Sequence, residues 1–463
     1  MTRAKLAGFC ALFVVVACGC DVPIDPEGER VMTTMDGEWP SGWTLLFYLA
    51  ADNEQEAFAD TTLQQLMTAT AADGRHPQVV VLVDRLSTTG TEIFEIVGGQ
   101  KTPITSSPEQ VTSSGAVLEK FATLGLSRAA GDQVAFVIKS EGLAWRGIGR
   151  DNTHAADSPD ALMPVGDLAS ALIAAQTTSG RSIDLLVLEG STMAFMEVVY
   201  ELRSAVPVLA ASQSKIQPDG LPWAGVMGDL DDQPGMTAVE LACAVADNHV
   251  EYYANNGNKS AAAGSTSTDF AAMTVFDMFQ VPAVKQAHGV WAATTWALLD
   301  EVHNLLPHAR DLSDVGGWGE VTDYDYQSDI KTFLTEGLRL IGEAGLSYPA
   351  LTEAVDAYLA VQDKLILHHR KPDDGSKLKA ANGLGIWYPP TWKKYDTRDA
   401  SDEVFGSTMY YEDPAIGLDW VTDSNWTTYL AEYFDRADAS LSGVDGDEPP
   451  KPGAHTDPGK KGQ

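Results

Sequence analysis

The sequence predicts an α/β fold, a mainly parallel sheet with helices on both faces, followed by a mostly helical α+β region. Three observations carry that prediction. Short apolar runs recur along the first half, at Trp43–Ala50, Gln78–Val83, Gln133–Ile138, Ile183–Leu188 and Val206–Ala211. Segments of helical period separate most of them: Glu54–Ala71, Ala116–Leu124, Gly166–Ala175 and Met193–Ser204. Strands that are apolar throughout and alternate with helices make a parallel sheet buried on both sides. The third observation is a change of rhythm past Gly220, where helical patterns dominate.

Taken in order, the chain opens on a targeting segment, residues 1–20. Arg3 and Lys5 precede an apolar run from Leu6 to Ala17, too short for a permanent bilayer span. Val15-Val16-Ala17-Cys18 resembles a bacterial lipoprotein cleavage box. Cys18 is then the residue to be lipidated, Cys20 a second candidate, and an ordinary secretory signal the alternative. The expected location is the bacterial cell envelope, exported and held to a membrane by the N-terminal lipid. Residues 21–41 are polar and read as a tether. Residues 42–260 hold the alternating strands and helices, with Thr91–Val97 as a small edge hairpin. Thr237 is an N-cap candidate for a helix running to Ala254. Residues 261–440 carry a strand at Phe270–Phe276 and helices over Val281–Leu306, Asp329–Ile341 and Ala350–His368. A short strand at Gly385–Tyr388, ended by Pro389-Pro390, and a last helix at Trp426–Phe434 complete that region. From 441 to 463 almost nothing is apolar, and disorder is expected.

Charge and cysteine usage exclude several function classes. Of 463 residues, 65 are acidic and 31 basic, a net charge of −34. Nucleic-acid binding needs a basic surface, so it is not expected; a well-solvated acidic exterior is. The four cysteines are Cys10, Cys18, Cys20 and Cys243, so the folded body holds Cys243 alone. One cysteine builds neither a disulfide framework nor a thiolate metal site. Cys243 lies in a helical pattern and reads as a small buried hydrophobe.

Two strand ends carry unusual turns. FVIKSEGLAWRG puts Ser140, Glu141 and Gly142 just after one strand, and LLVLEGSTM puts Glu189, Gly190 and Ser191 after the next. Successive α/β strands are often neighbours, so Glu141 and Ser191 are expected across one crevice at the carboxyl edge of the sheet. Ser191 stands where a nucleophile would stand, and equally fits an N-cap of the helical run behind it. Glu189 fits a helix-dipole partner or a binding acid. Glu141 is placed to pair with Arg146 or Arg150. His154, in a polar loop, is the remaining base candidate, although loop histidines are ordinarily solvated. His368 and His369, placed in a helix, do not converge on a metal. Asp229, Asp231 and Asp232 form an acidic loop that offers oxygens to calcium but lacks the Gly and Glu of an EF-hand. No other metal or cofactor is expected.

These turns resemble the clostripain family of cysteine peptidases, which have a caspase-like α/β fold. WTLLFYLAADNEQE (43–56) is similar to that family's opening strand with its Asp-Asn turn. The first strand end resembles its Asp-His-Gly segment followed by Gly-Trp-Arg-Gly. The second resembles Phe-Asp-Ala-Cys-Leu-Met followed by a Glu-Val-x-Tyr-Glu-Leu helix. ASQSKIQPDGLPW (211–223) matches an Ala-Ser…Pro-x-Asp-Gly-x-Pro loop, and GLGIWYPP (383–390) a Gly-Leu-Ser-Ile-Tyr-Phe-Pro strand. The resemblance spans about Trp43 to Phe434 and implies the caspase-like sheet.

For the site, the resemblance implies a loss. The catalytic His falls on Glu141, the Asp or Asn before it on Ser140, and the catalytic Cys on Ser191. A cysteine peptidase needs a thiolate and an imidazole that protonates the leaving amine. A carboxylate with a reference pKa of about 4.3 is poorly matched to either proton transfer. The specificity acid falls on Glu189, which implies a retained place for a basic side chain. Calcium, used by some members, is the one cation implied. The expected protein is a clostripain-like surface lipoprotein, catalytically inactive, that binds a peptide or protein at the former cleft. The alternatives are a serine-type hydrolase using Ser191 with Glu141 or His154, and a structural surface protein with a vestigial cleft.

Overall fold

The computed structural model describes residues 42–71, 76–154, 162–217, 219–256, 271–315, 327–372, 378–389, 411–414 and 416–441. The expected leader with Cys18 and Cys20, the tether and the tail lie outside these residues.

Nine strands form one sheet. In chain order they are β1 (Trp43–Ala51), β2 (Gln78–Arg85), β3 (Thr91–Val97), β4 (Gln100–Ser107), β5 (Gln133–Lys139), β6 (Leu185–Glu189), β7 (Val208–Ala211), β8 (Met273–Asp277) and, past a short β9 (Gln327–Asp329), β10 (Ile366–Arg370). Their spatial order is β10-β8-β7-β6-β5-β1-β2-β3-β4. The five central strands, β2, β1, β5, β6 and β7, run parallel, and the strands added at either edge are antiparallel. β9 pairs separately with β11 (Gly385–Trp387).

Alternation along the strands builds two cores. Leu46, Tyr48, Phe136, Ile138, Leu186 and Leu188 face one side; Leu45, Phe47, Val137 and Val187 face the other. Helices Glu56–Ala71, Trp223–Asp232 and Ala238–Asn256 cover the second side. Gly115–Arg128, Val165–Ser179 and the helices after β8 all cover the first. The helices after β8 thus form a thick layer on one face of the sheet. Each fully buried Leu, Val or Phe in these layers contributes roughly 1.5–3 kcal/mol. β8 and β10 come from beyond residue 260; β8 pairs with β7 and β10 with β8, in the same sheet as the earlier strands.

Four expectations need correction. The edge hairpin is two strands, β3 and β4, joined by Gly98 and Gly99 with φ of 54° and 74°. β4 is largely exposed and contains Pro103, so it shows no apolar alternation. The helix expected to run to His368 ends at Leu365, and His368 and His369 lie on edge strand β10. The helix expected from Met193 starts at Met196, because residues 194 and 195 are drawn out by bonds to Ser212 and to Gly385 on β11. Val281–Leu306 breaks into Val281–Trp296, Leu299–Val302 and Leu306–Leu312.

Candidate functional site

β5 and β6 are adjacent and parallel, with Lys139 opposite Glu189 in the register. The two turns that follow therefore leave the sheet side by side. Gly142 lies against Ser191: a Cβ at Gly142 would sit 2.7 Å from the Ser191 carbonyl oxygen. A Cβ at Gly190 would fall 2.9 Å from Ile148 and 3.3 Å from the Ser140 carbonyl. The close approach of the backbones requires glycine at Gly142 and leaves little room at Gly190. Glu141 and Ser191 are both half-buried at this junction.

Each side chain has a defined partner. The Glu141 carboxylate lies 3.5 Å from Arg150, the second of its two expected partners. Ser140 is buried and donates to the Ala50 carbonyl at 2.8 Å, tying the turn to the end of β1. Ser191 Oγ accepts the Ile216 N–H at 3.2 Å. No histidine or carboxylate hydrogen-bonds it among the described residues. The N-cap role is also absent, since the next helix is capped at Phe195 without a side-chain bond. Thr192, a β-branched residue, holds φ at +59°, a strained conformation that costs on the order of 1–3 kcal/mol. Its N–H bonds the Ser214 carbonyl, which fixes the turn to the loop after β7.

His154 turns elsewhere. Its Nδ1 is 3.1 Å from Asp151, whose other oxygen accepts the Thr112 N–H at 2.8 Å. Asp229, Asp231 and Asp232 are not in a loop but on the last turns of Trp223–Asp232. There Asp231 meets His76 at 3.0 Å and Asp229 accepts from Asn248 at 2.6 Å, so two of the three oxygen donors are committed.

Glu189 is the most enclosed member of the site. It is 1 % exposed and ion-pairs with Lys139, itself 4 % exposed. Its carboxylate also accepts the Leu221 N–H at 3.0 Å and the Trp223 indole N–H at 2.8 Å. The loop after β7 closes over the pair: Gly220 has φ of 75°, and a Cβ there would lie 2.0 Å from Glu189 Oε1 and 2.1 Å from Lys139 Nζ. Only glycine fits. The Tyr253 hydroxyl donates to the Gly220 carbonyl, and buried His249 packs edge-on against that ring. Burial, and then the charge of Lys139, lower the His249 pKa to about 3. Two further carboxylates that sequence reasoning left aside lie one helix on. Glu197 accepts the Trp387 N–H and the Tyr411 hydroxyl, and Glu201 accepts the Trp420 N–H. Burial raises both to about 7. Their spacing of one helical turn was the available signal.

The family model described as "Clostripain family" matches residues 47–326. The chain belongs to the clostripain family. Among solved structures it is similar to a secreted C11 cysteine protease from Bacteroides thetaiotaomicron bound to an irreversible peptide inhibitor. That match has a TM-score of 0.58 at 18 % identity and covers 83 % of this chain and 99 % of the other. An inactive zymogen C11 protease from Parabacteroides distasonis matches with a TM-score of 0.52 at 16 % identity, covering 84 % and 98 %. A search of curated proteins gives no match. At these identities the structures speak for the fold, and the sheet described above is the clostripain family's caspase-like sheet. The two turns at its carboxyl edge are the ends of adjacent strands of that fold.

Proposed function

We propose that this chain is a pseudopeptidase of the clostripain family: it keeps the cleft between the turns after β5 and β6 and holds a peptide or protein segment there without cutting it. The observation that carries the reading is the bonding of Ser191. Its hydroxyl accepts a backbone N–H and, among the described residues, hydrogen-bonds no base, while Glu141 is engaged with Arg150. A serine without a general base is a weak nucleophile at neutral pH. The pair Lys139–Glu189 supports the reading further. If Glu189 stands where relatives hold a basic substrate side chain, the chain's own Lys139 now fills that place. A ligand of this cleft is therefore not anchored by arginine or lysine. Export and attachment through lipid on Cys18 belong to the same proposal and rest on the leader sequence. Mass spectrometry of the mature N-terminus tests that part.

Catalysis is tested by turnover of arginyl and lysyl reporter peptides. Wild type is expected to give none. Glu141→His with Ser191→Cys restores both proton transfer and a thiol, yet it is expected to stay inactive on these reporters until Lys139→Ala also frees Glu189. Wild-type turnover that disappears in Ser191→Ala would establish a serine hydrolase and overturn the proposal. Binding is tested with a fluorescent peptide library on the immobilised chain. Peptides retained by wild type and lost on Ser191→Trp are expected; no retention at all would leave the cleft vestigial.

A further inference from the structure

The two turns of the cleft lean on the same pair of rings. After β5 the chain turns through Ala144–Arg146, where Trp145 is buried. Its indole packs edge-on against Trp387, with centroids 5.5 Å apart, and against Tyr411 at 5.1 Å. Trp387 ends β11 and its ring lies 4.3 Å from that of Tyr411. The turn after β6 rests on the same strand: just past Ser191, the Ala194 carbonyl accepts the Gly385 N–H at 2.9 Å.

One carboxylate joins the two. Glu197, on helix Met196–Glu201, is fully buried. Its Oε1 accepts both the Trp387 N–H at 3.0 Å and the Tyr411 hydroxyl at 2.9 Å. Its Oε2 is buried with no hydrogen-bond partner. Among the described residues no cation pairs with it. β11 carries no titratable side chain. On the other elements packed against this helix, Arg146 stacks over the Trp145 ring, Glu201 accepts the Trp420 N–H, and Asp419 and Asp423 meet Arg203 and Tyr200. Asp167 is exposed, and His288 is buried against Trp291, Trp420 and Trp426.

A buried carboxyl with two neutral donors at one oxygen and none at the other favours its protonated form. Burial is accordingly the first cause of its raised pKa, and the donated bonds oppose it. An ionised Glu197 regains hydration when Trp387 and Tyr411 part from the helix. We propose that Glu197 is a positioning residue: protonated, it clamps Trp387 and Tyr411 against the helix behind the Ser191 turn, and its ionisation loosens both turns of the cleft. The closed clamp holds the pKa above its ordinary 4.5, at about 7, so the clamp is firmest below about 4.5 and weakens as pH rises to about 7. On the pseudopeptidase reading, a ligand of the cleft is then held more tightly at mildly acidic pH; the clamp itself does not rest on that reading.

Native-state hydrogen exchange on the full chain, corrected for intrinsic rates, tests this. The Trp387 N–H reports the bond to Glu197 and the Gly385 N–H the second turn. The Leu143 N–H, bonded to the Gly147 carbonyl at 3.0 Å, reports the first. Opening at all three is expected to rise on the order of thirtyfold from pH 5 to 7 and to level off above. Glu197→Gln keeps an acceptor oxygen but cannot ionise, and should flatten the profile. Tyr411→Phe removes a donor that favours the ionised form, so it should move the levelling-off to higher pH. A profile unchanged in Glu197→Gln overturns the proposal. If that variant does not fold, Tyr411→Phe decides, and levelling-off at the wild-type pH overturns it. Opening at the three amides no more frequent than at Phe47 in β1, inside the sheet, would mean that the clamp parts only with the whole fold, and also overturns it. No readout uses a ligand, so the clamp and the peptide-binding reading fail separately.

Discussion

Lys139 and Glu189 are 50 residues apart in sequence and in contact in the fold. That Glu189 is an acid at the site was legible from the strand-turn pattern; that it is already paired was not. The pairing follows from the β5–β6 register, a tertiary fact that no local pattern encodes. A buried pair contributes little over an apolar substitute, but breaking it leaves a charge stranded. Lys139→Met is therefore expected to cost about 3–5 kcal/mol. Glu189→Gln added to it should recover part of that loss, since it removes the stranded charge while its one amide oxygen still accepts from either Leu221 or Trp223. Urea unfolding with an unchanged m-value is the measurement. A double variant no more stable than Lys139→Met would show that the pair is not the interaction that matters.

Helix and strand existence was read from period, and the buried elements came out with ends shifted by a few residues. What escaped was what tertiary contact decides. β10 follows helix Pro349–Leu365 with no Gly or Pro between, so helical period runs into it unbroken; pairing with β8 makes it a strand. Ser191 was read as an N-cap because the strand-to-helix turn was assumed short. Bonds from Ser212 and Gly385 hold residues 194 and 195 extended instead. Asp329 shows the opposite case, a true cap at a junction. It caps Ile330–Glu343 by accepting the Thr332 N–H at 2.8 Å, and also accepts from Gln213 and from the backbone and side chain of Asn382. It thus fastens β9, that helix, the loop after β7 and the approach to β11. Asp329→Ala removes the cap, worth about 0.5–2 kcal/mol. It also orphans buried donors, at about 1–3 kcal/mol. A loss of about 3 kcal/mol is expected in equilibrium unfolding. Asp329→Asn, which keeps one acceptor oxygen and so can still cap the Thr332 N–H, should lose less. Equal losses would mean that charge rather than capping is what Asp329 supplies.

Across the whole molecule, buried titratable groups set how stability follows pH. Glu109, Glu197 and Glu201 are raised from 4.5 to about 7, each chiefly by burial. Between those values the folded chain holds protons that the unfolded chain has released, so their contribution is complete below about 4.5 and lost as pH rises to about 7. Asp52, Asp84, Asp184 and Asp329 are raised too and act in the same sense. His249 and His288 are lowered from 6.5 to about 3, and His369 to about 4, all by burial first. Their contribution is complete above about 6.5 and lost as pH falls toward those values. In the window from about 4.5 to 6.5 three glutamates and three imidazoles oppose, and the raised aspartates and the self-repulsion of growing negative charge both act in the glutamates' sense. Stability measured in chelator is therefore expected to peak near pH 5, to decline toward pH 7, and to drop on acidification below about pH 4. Each proton is worth about 1.4 kcal/mol per pH unit, so Glu197→Gln should shrink the decline between pH 5 and 7 by on the order of 2–3 kcal/mol. His288→Phe removes one opposing contribution and should steepen the decline below pH 6.5. A flat Tm between pH 5 and 8 that Glu197→Gln leaves unchanged would mean that the buried glutamates stay ionised in the folded chain.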